Sequence, residues 1–79
     1  MPDDGMLIGA IAKGKDEIRV SLAEFQGSRF IDVRVYYHHK DSDEWRPTKK
    51  GIAVSPGKLA ELRELLDTAE EEMKSEGWI

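Results

Sequence analysis

Five cations and five rings crowd the middle of this 79-residue sequence: Arg29, Arg34, Arg46, Lys49 and Lys50 with Phe25, Phe30, Tyr36, Tyr37 and Trp45. Cations track phosphates whatever the base sequence, and flat rings stack on any base, so a single-strand binder needs this pairing of residue types. Core aromatics and ordinary surface charges would give the same composition. The stretch "RPTKKGI", residues 46–52, sets three of the cations around Pro47 directly after the acidic "DSDEW" and stops them at Gly51. Glycine admits close approach of another backbone or of a phosphate. A bulge between a loop and the last strand is the competing reading of Gly51.

Net charge is −4, yet its distribution is uneven. Residues 1–12 carry Asp3 and Asp4; residues 13–50 hold nine Lys or Arg against seven Asp or Glu; residues 51–79 hold three against seven. The basic residues thus belong to the middle of the chain and the acids to its end.

Other chemistries find little support. With no cysteine there is no thiolate nucleophile, disulfide or thiolate metal site. "GAIAKGKD" has the spacing of a phosphate-binding loop in Gly9, Gly14 and Lys15, but Asp16 stands where the Mg²⁺-binding hydroxyl belongs. His38 and His39 are adjacent, so on a strand they point to opposite sides and cannot share an ion. The run from Asp41 opens like a calcium loop, but it lacks glycine at the sixth position and has Ile52 where a bidentate Glu should stand. No serine sits in a nucleophile elbow. The expectation is a protein that is not an enzyme and uses no cofactor or metal.

The elements that would carry the basic and aromatic set follow from hydrophobic periodicity. "MLIGAIA", residues 6–12, reads as a first strand, preceded by acids rather than the basic residues of a signal peptide, and nothing is long enough to span a membrane. "EIRVSLAEF" alternates Ile18, Val20 and Leu22 with Arg19, Ser21 and Ala23. After a turn at Gly27, "RFIDVRVYY" puts Ile31, Val33, Val35 and Tyr37 on one face and Phe30, Asp32, Arg34 and Tyr36 on the other. "HHKDSDEW" reads as a hairpin loop, and "KKGIAVS" as a short last strand with Ile52 and Val54 inward.

Beyond Ser55 the period changes to that of a helix. Ser55 reads as N-cap with Pro56 at the first helical position, and Gly77 as the C-cap glycine. Leu59, Leu62, Leu66, Ala69 and Met73 form one stripe, widened by Leu65. Either that stripe covers its own sheet or it is shared with a second subunit, as its spacing allows. The fold class is therefore α+β: a four-stranded antiparallel meander, then one helix. A single domain is expected, with residues 1–12 leading into residues 13–79, the sheet running to about 55 and the helix over about 56–76. So short a chain without disulfides needs a further staple, and oligomerisation is the one available.

The order of these residues is more specific than their composition. "VSLAEFQGSRFIDVRVYY", a variable acidic loop and "RPTKKGIAVSPGKLAELRELL" resemble the C-terminal domain of the transcriptional coactivator positive cofactor four, a single-stranded-DNA-binding family with prokaryotic relatives. The likeness covers roughly residues 14–70 and is most telling in the hairpin Val20–Gly27, the strand Ile31–Tyr36 and the ending Pro47–Ile52. It implies a curved four-stranded sheet and one helix, paired into a homodimer whose sheets form grooves for single-stranded DNA. Phe25 and Tyr37 match the family's stacking aromatics, with Tyr37 where a tryptophan is usual. Arg34, Arg46 and Lys50 match its phosphate-contacting cations, and Lys15 matches a further lysine if one residue is inserted before the second strand. Ala23 and Ser28 stand where the best-known member is basic, which implies a groove of lower charge. The Ser- and Lys-rich N-terminal region of the eukaryotic coactivator has no counterpart in these residues.

Joined to the reading of "RPTKKGI", the resemblance gives a DNA-binding set of Lys15, Phe25, Arg29, Arg34, Tyr37, Arg46, Lys49, Lys50 and Gly51. The dimer interface expected is Leu59, Leu62, Leu66, Ala69 and Met73. Arg34 and Tyr37 fall on opposite faces of a regular strand, so a shared contact needs a β-bulge or strong twist between them. Expected partners are single-stranded DNA or RNA, a second copy of the chain and the transcription machinery, with no membrane. The expected location is the cytoplasm or nucleoid in a prokaryote and the nucleus in a eukaryote. A protein-interaction module with the same fold, using the acidic helix and its apolar stripe, is the alternative.

Overall fold

In the computed structural model, which describes residues 5–79, the alternating segments pair along nearly their whole length. Strands β1 (Met6–Lys13), β2 (Asp16–Phe25), β3 (Ser28–His39) and β4 (Glu44–Val54) form one antiparallel sheet in the order β1-β2-β3-β4. The meander agrees with the expected one; the charges of Asp3 and Asp4 lie outside the described residues. Ile18, Val20 and Leu22 stand opposite Val35, Val33 and Ile31, which meet Ile52 and Val54 of β4. Residues opposite each other share a face, so these side chains form one apolar face, joined by Met6 and Ile11 of β1. The other face is polar and aromatic: Glu17, Arg19, Ser21 and Ala23 stand opposite Tyr36, Arg34, Asp32 and Phe30.

Two strands are longer than their sequence signals. β3 runs on through His38 and His39, and β4 begins at Glu44, so the expected eight-residue loop is reduced to a turn over residues 40–43. β4 also takes in Pro47, which a central strand would not tolerate; at the sheet edge its missing N–H costs no ladder bond. Within β4 the register shifts. Arg34 faces Gly51 but Tyr36 faces Pro47, so Thr48, Lys49 and Lys50 together oppose Val35.

Beyond β4 the chain does not begin its α-helix at Pro56 as expected. Pro56–Lys58 form a single 3₁₀ turn, closed by Lys58 N–H donating to Ser55 C=O at 3.0 Å, and helix α1 spans Leu59–Ser75. The Ser55 side chain makes no capping bond; the N–H of Lys58, a donor it would meet as N-cap, is taken by the Ser55 main-chain carbonyl. At the other end Gly77 has φ +79°, and Gly77 N–H and Trp78 N–H donate to Lys74 and Met73 carbonyls at 3.2 and 2.8 Å. This is a Schellman motif, with Gly77 ending the helix as expected.

The helix is no lid on its own sheet. It meets the sheet at its first turn, where Pro56 and Leu59 line a cleft with Met6, Leu22 and Ile31. Farther along, Leu66 is 58% exposed, and no residue of α1 is buried. Ile52, expected inward, is 54% exposed, because among the described residues the helical segment meets the apolar face only at its Met6, Leu22 and Ile31 end. Among the described residues only Ala23 and Asp32 are buried. The Cα radius of gyration is 14.7 Å, against about 11.6 Å for a compact chain of this length. The accessible surface is 6483 Å², against roughly 4,900 Å² for a compact monomer of this mass.

Candidate nucleic-acid interface

The four arginines of the sheet each have a carboxylate near them in sequence. Glu17 holds Arg19 at 3.0 Å, Glu24 holds Arg29 at 3.1 Å, Asp32 holds Arg34 at 3.0 Å, and Glu44 lies 3.8 Å from Arg46. In the first, third and fourth of these pairs, acid and arginine are two apart on one strand and so lie on one face. Lysines behave differently. Among the described residues, Lys13, Lys15, Lys40, Lys49 and Lys50 have no carboxylate within ion-pair distance, so the unneutralised positive charge of the sheet rests on them.

These lysines gather at one end of the sheet, around the β1–β2 turn, the β3–β4 hairpin and the β4 bulge. Lys13 and Lys50 flank an apolar cleft of Ile18, Val33, Val35 and Ile52. Lys15 and Lys40 line a second cleft with Tyr37, His38 and Trp45. Arg46 stands directly opposite Tyr37 and donates to Ser42 Oγ at 3.3 Å. At this end, then, the structure brings together Lys15, Tyr37, Arg46, Lys49 and Lys50 of the expected set, and adds Lys13 and Lys40.

The other expected residues lie elsewhere. Phe25 is 51% exposed at the end of β2, and Arg29 stands just beyond the turn. From Ser28, the partner of Phe25, to Tyr37 is nine residues of strand, or about 30 Å. A single base cannot meet both rings. Arg34 lies between the two ends on the polar face, while Tyr37 is on the apolar face. β3 pairs with β2 without interruption from Ser28 to Tyr36, and the extra residues of the bulge sit in β4 instead, so no irregularity of β3 between Arg34 and Tyr36 turns Tyr37 to the side of Arg34.

Arg34 is also the most engaged of the expected cations. Its Nε and Nη2 donate to Asp32 at 3.1 and 3.0 Å, and Nη1 donates to the Thr48 carbonyl in the bulge at 3.0 Å. The hydrogen bond with Asp32 pushes the guanidinium pKa above its ordinary value, against the opposing effect of burial. Thr48 ties the bulge down from within: its hydroxyl donates to Val35 C=O at 2.8 Å and accepts from Lys50 N–H at 3.1 Å. Lys49 and Lys50 are exposed on this fixed backbone. Gly51 serves the same construction, since a Cβ there would lie 2.5 Å from the Val33 carbonyl oxygen and 2.8 Å from Arg34 Cα. The close approach that Gly51 allows is thus that of its neighbouring strand.

Three residues of the polar face went unassigned in the sequence. The Arg19 guanidinium lies 4.6 Å from the Tyr36 ring centroid and 5.5 Å from that of Trp45, within cation–π range of both. Trp45 in turn meets the His38 ring edge-on at 5.3 Å. His38 Nε2 lies 2.7 Å from Asp43 Oδ1, while His39 Nδ1 reaches Ser42 Oγ at 3.0 Å, so the two histidines have separate partners. The only signal for Arg19 was its parity with Tyr36, readable once strand register is known.

The sequence profile described as Transcriptional Coactivator p15 (PC4) matches residues 12–65. The RNA polymerase II transcriptional coactivator KELP of Arabidopsis thaliana is 35% identical over 72 residues, 91% of this chain. The chain spans about two fifths of the length of the curated coactivators it matches, 37% and 41%. A PC4 homologue from Burkholderia pseudomallei superposes with a TM-score of 0.80 at 32% identity, covering 91% of this chain and 97% of its own. The bacteriophage T5 homologue of the eukaryotic coactivator PC4, implicated in recombination-dependent DNA replication, superposes with a TM-score of 0.60 at 27% identity, covering 94% of this chain and 81% of its own.

Proposed function

Because this chain belongs to the transcriptional coactivator p15 (PC4) family, we propose that it is a non-catalytic single-stranded DNA-binding protein, tolerant of sequence, that acts in transcription or in protecting exposed strands. The observation that carries this reading is the cluster of lysines without carboxylate partners among the described residues, Lys13, Lys15, Lys49 and Lys50, beside Tyr37 at one end of the sheet. Phosphates would meet these lysines and Arg46, while bases stack on Tyr37 at this end and on Phe25 at the other. Arg34 shares the polar face with Phe25, and Arg29 shares the other face with Tyr37, so a strand that meets both rings passes around the sheet rather than along one face.

The protein works as a homodimer in this reading. Exposed Met6 and Leu22 on the apolar face away from the lysine-bearing end, an exposed Leu66 on the helix stripe and a surface larger than that of a compact monomer all support a second copy as the missing cover of that part of the face. Leu59, Leu62, Leu66, Ala69 and Met73 would form the helical part of that interface. The acidic outer side of α1 would face away from the strand.

Fluorescence anisotropy with a labelled single strand of about 20 nucleotides, against the matching duplex, tests the proposal. If four lysines release counterions from a single strand, log affinity falls with log salt at a slope of roughly −3. Absence of single-strand binding at low salt would overturn it and turn attention to protein partners of the acidic helix.

A further inference from the structure

Arg19 is held in place by everything except its terminal nitrogens. Its Nε donates to Glu17 at 3.0 Å and its guanidinium lies against the rings of Tyr36 and Trp45. Neither Nη1 nor Nη2 has a hydrogen-bond partner among the described residues. On the β1 side its neighbours are small: Ala10 stands directly opposite Arg19, and Ala12 opposite Glu17. The result is a planar fork with fixed orientation, its side chain 21% exposed and lining a cleft with Ser21, Asp32 and Tyr36, on the same face as Arg34 and Phe25. Such a fork matches two acceptors side by side, as on a phosphate or on the O6 and N7 edge of guanine.

Charge decides between these. Arg19 and Arg34 are partners across β2 and β3, and Glu17 and Asp32 neutralise them one for one. A phosphate brought here gains the attraction of two guanidiniums but meets the repulsion of two carboxylates. An uncharged acceptor pair keeps the hydrogen bonds without that repulsion. We propose that Arg19 is a specificity-determining residue that reads the O6/N7 edge of a guanine in a bound single strand, giving an otherwise sequence-tolerant surface a preference at one position. The proposal rests on the single-strand reading above.

The test compares three labelled strands of about 20 nucleotides at fixed salt: oligo-thymidine, alternating thymidine–guanosine, and the same alternation with 7-deazaguanine, which lacks the N7 acceptor. The full chain should bind the guanine strand roughly five-fold or more above oligo-thymidine and lose most of that margin with 7-deazaguanine. Arg19→Lys, which keeps the charge but not the fork, should abolish the margin while leaving oligo-thymidine affinity within about two-fold. A wild-type protein without the margin, or one that keeps it with 7-deazaguanine, overturns the proposal without any variant having to fold. Equal loss on oligo-thymidine and guanine strands in Arg19→Lys would make Arg19 a phosphate contact and likewise overturn it. Strong oligo-thymidine binding with no margin would sink this inference alone, whereas no binding to any strand would sink the single-strand reading with it.

Discussion

Arg19 and Arg34 stand directly opposite each other across β2 and β3, and each donates to the carboxylate two residues earlier on its own strand. Two like charges so placed would repel; Glu17 and Asp32 offset that repulsion with one carboxylate on each guanidinium, an array of four charges. Asp32 is 7% exposed, so the array has little help from water on that side. Asp32→Ala should leave Arg34 facing Arg19 with only the Thr48 carbonyl as partner, at a cost of about 2–3 kcal/mol. Urea unfolding would read this as a lower midpoint at unchanged slope. Because the Arg34 pKa is raised on folding, the stabilisation from its charge is complete below the ordinary arginine value and fades only as pH rises through the higher folded value. The Arg34 contribution should therefore be constant across neutral pH.

Phe25 offers a test of stacking with little cost to the fold. Its ring is half exposed at a strand end. Phe25→Ala should weaken single-strand binding by about 1–3 kcal/mol and barely move the melting temperature. Loss of both together would mean that the ring packs in the fold.

Thr48 links the arginine network to the lysines. Its carbonyl accepts from Arg34, and its hydroxyl bridges Val35 C=O and Lys50 N–H. Thr48→Val keeps the shape and removes both hydroxyl bonds, at about 1 kcal/mol of stability. The bulge should loosen, weakening single-strand binding with little change in salt slope, whereas Lys50→Ala should flatten the slope by about 0.7. Thr48→Ser should restore the affinity. Titrations at several salt concentrations separate these outcomes.

Much of this fold was legible because its signals are local. Period-2 alternation marked β2 and β3, an apolar run marked β1, glycine marked the β2–β3 turn, and Gly77 marked the helix end. The extent of β4 was not legible, since proline and a run of charge read as loop, and only its place at the sheet edge makes Pro47 acceptable. Nor was the arginine–lysine division: whether a cation is free depends on which acid shares its face, as Glu17 does with Arg19 and Asp32 with Arg34. The sequence marked Arg34 and Lys50 as equals. The structure gives Arg34 three bonded nitrogens and, among the described residues, leaves the Lys50 ammonium without a carboxylate.

Gly51 can be tested by adding a single methyl group. A Cβ there would lie 2.5 Å from Val33 O and 2.8 Å from Arg34 Cα, both backbone atoms that cannot swing aside. Gly51→Ala should force β4 away from β3 and lower stability by about 1–3 kcal/mol, visible in the urea midpoint with no nucleic acid present. Unchanged stability together with weaker strand binding would instead mean that the glycine serves the ligand.

The dimer prediction rests on what one copy leaves uncovered. Leu66 is 58% exposed in the middle of the helix stripe, and Ile52, 54% exposed, belongs to an apolar face that α1 does not cover. Burying a leucine side chain contributes about 1.5–3 kcal/mol, and a two-fold interface would bury each such residue twice. Leu66→Asp would place two carboxylates into that interface at once. The expected outcome in sedimentation equilibrium is a dimer for the wild type and a monomer for the variant, with a melting temperature that becomes lower and independent of concentration. The exposed acids of α1 provide the control: Glu71→Gln, off the stripe, should leave the dimer intact. A wild-type monomer with a cooperative unfolding transition would show that one chain holds its sheet without a partner, and the apolar face would then be open to another protein.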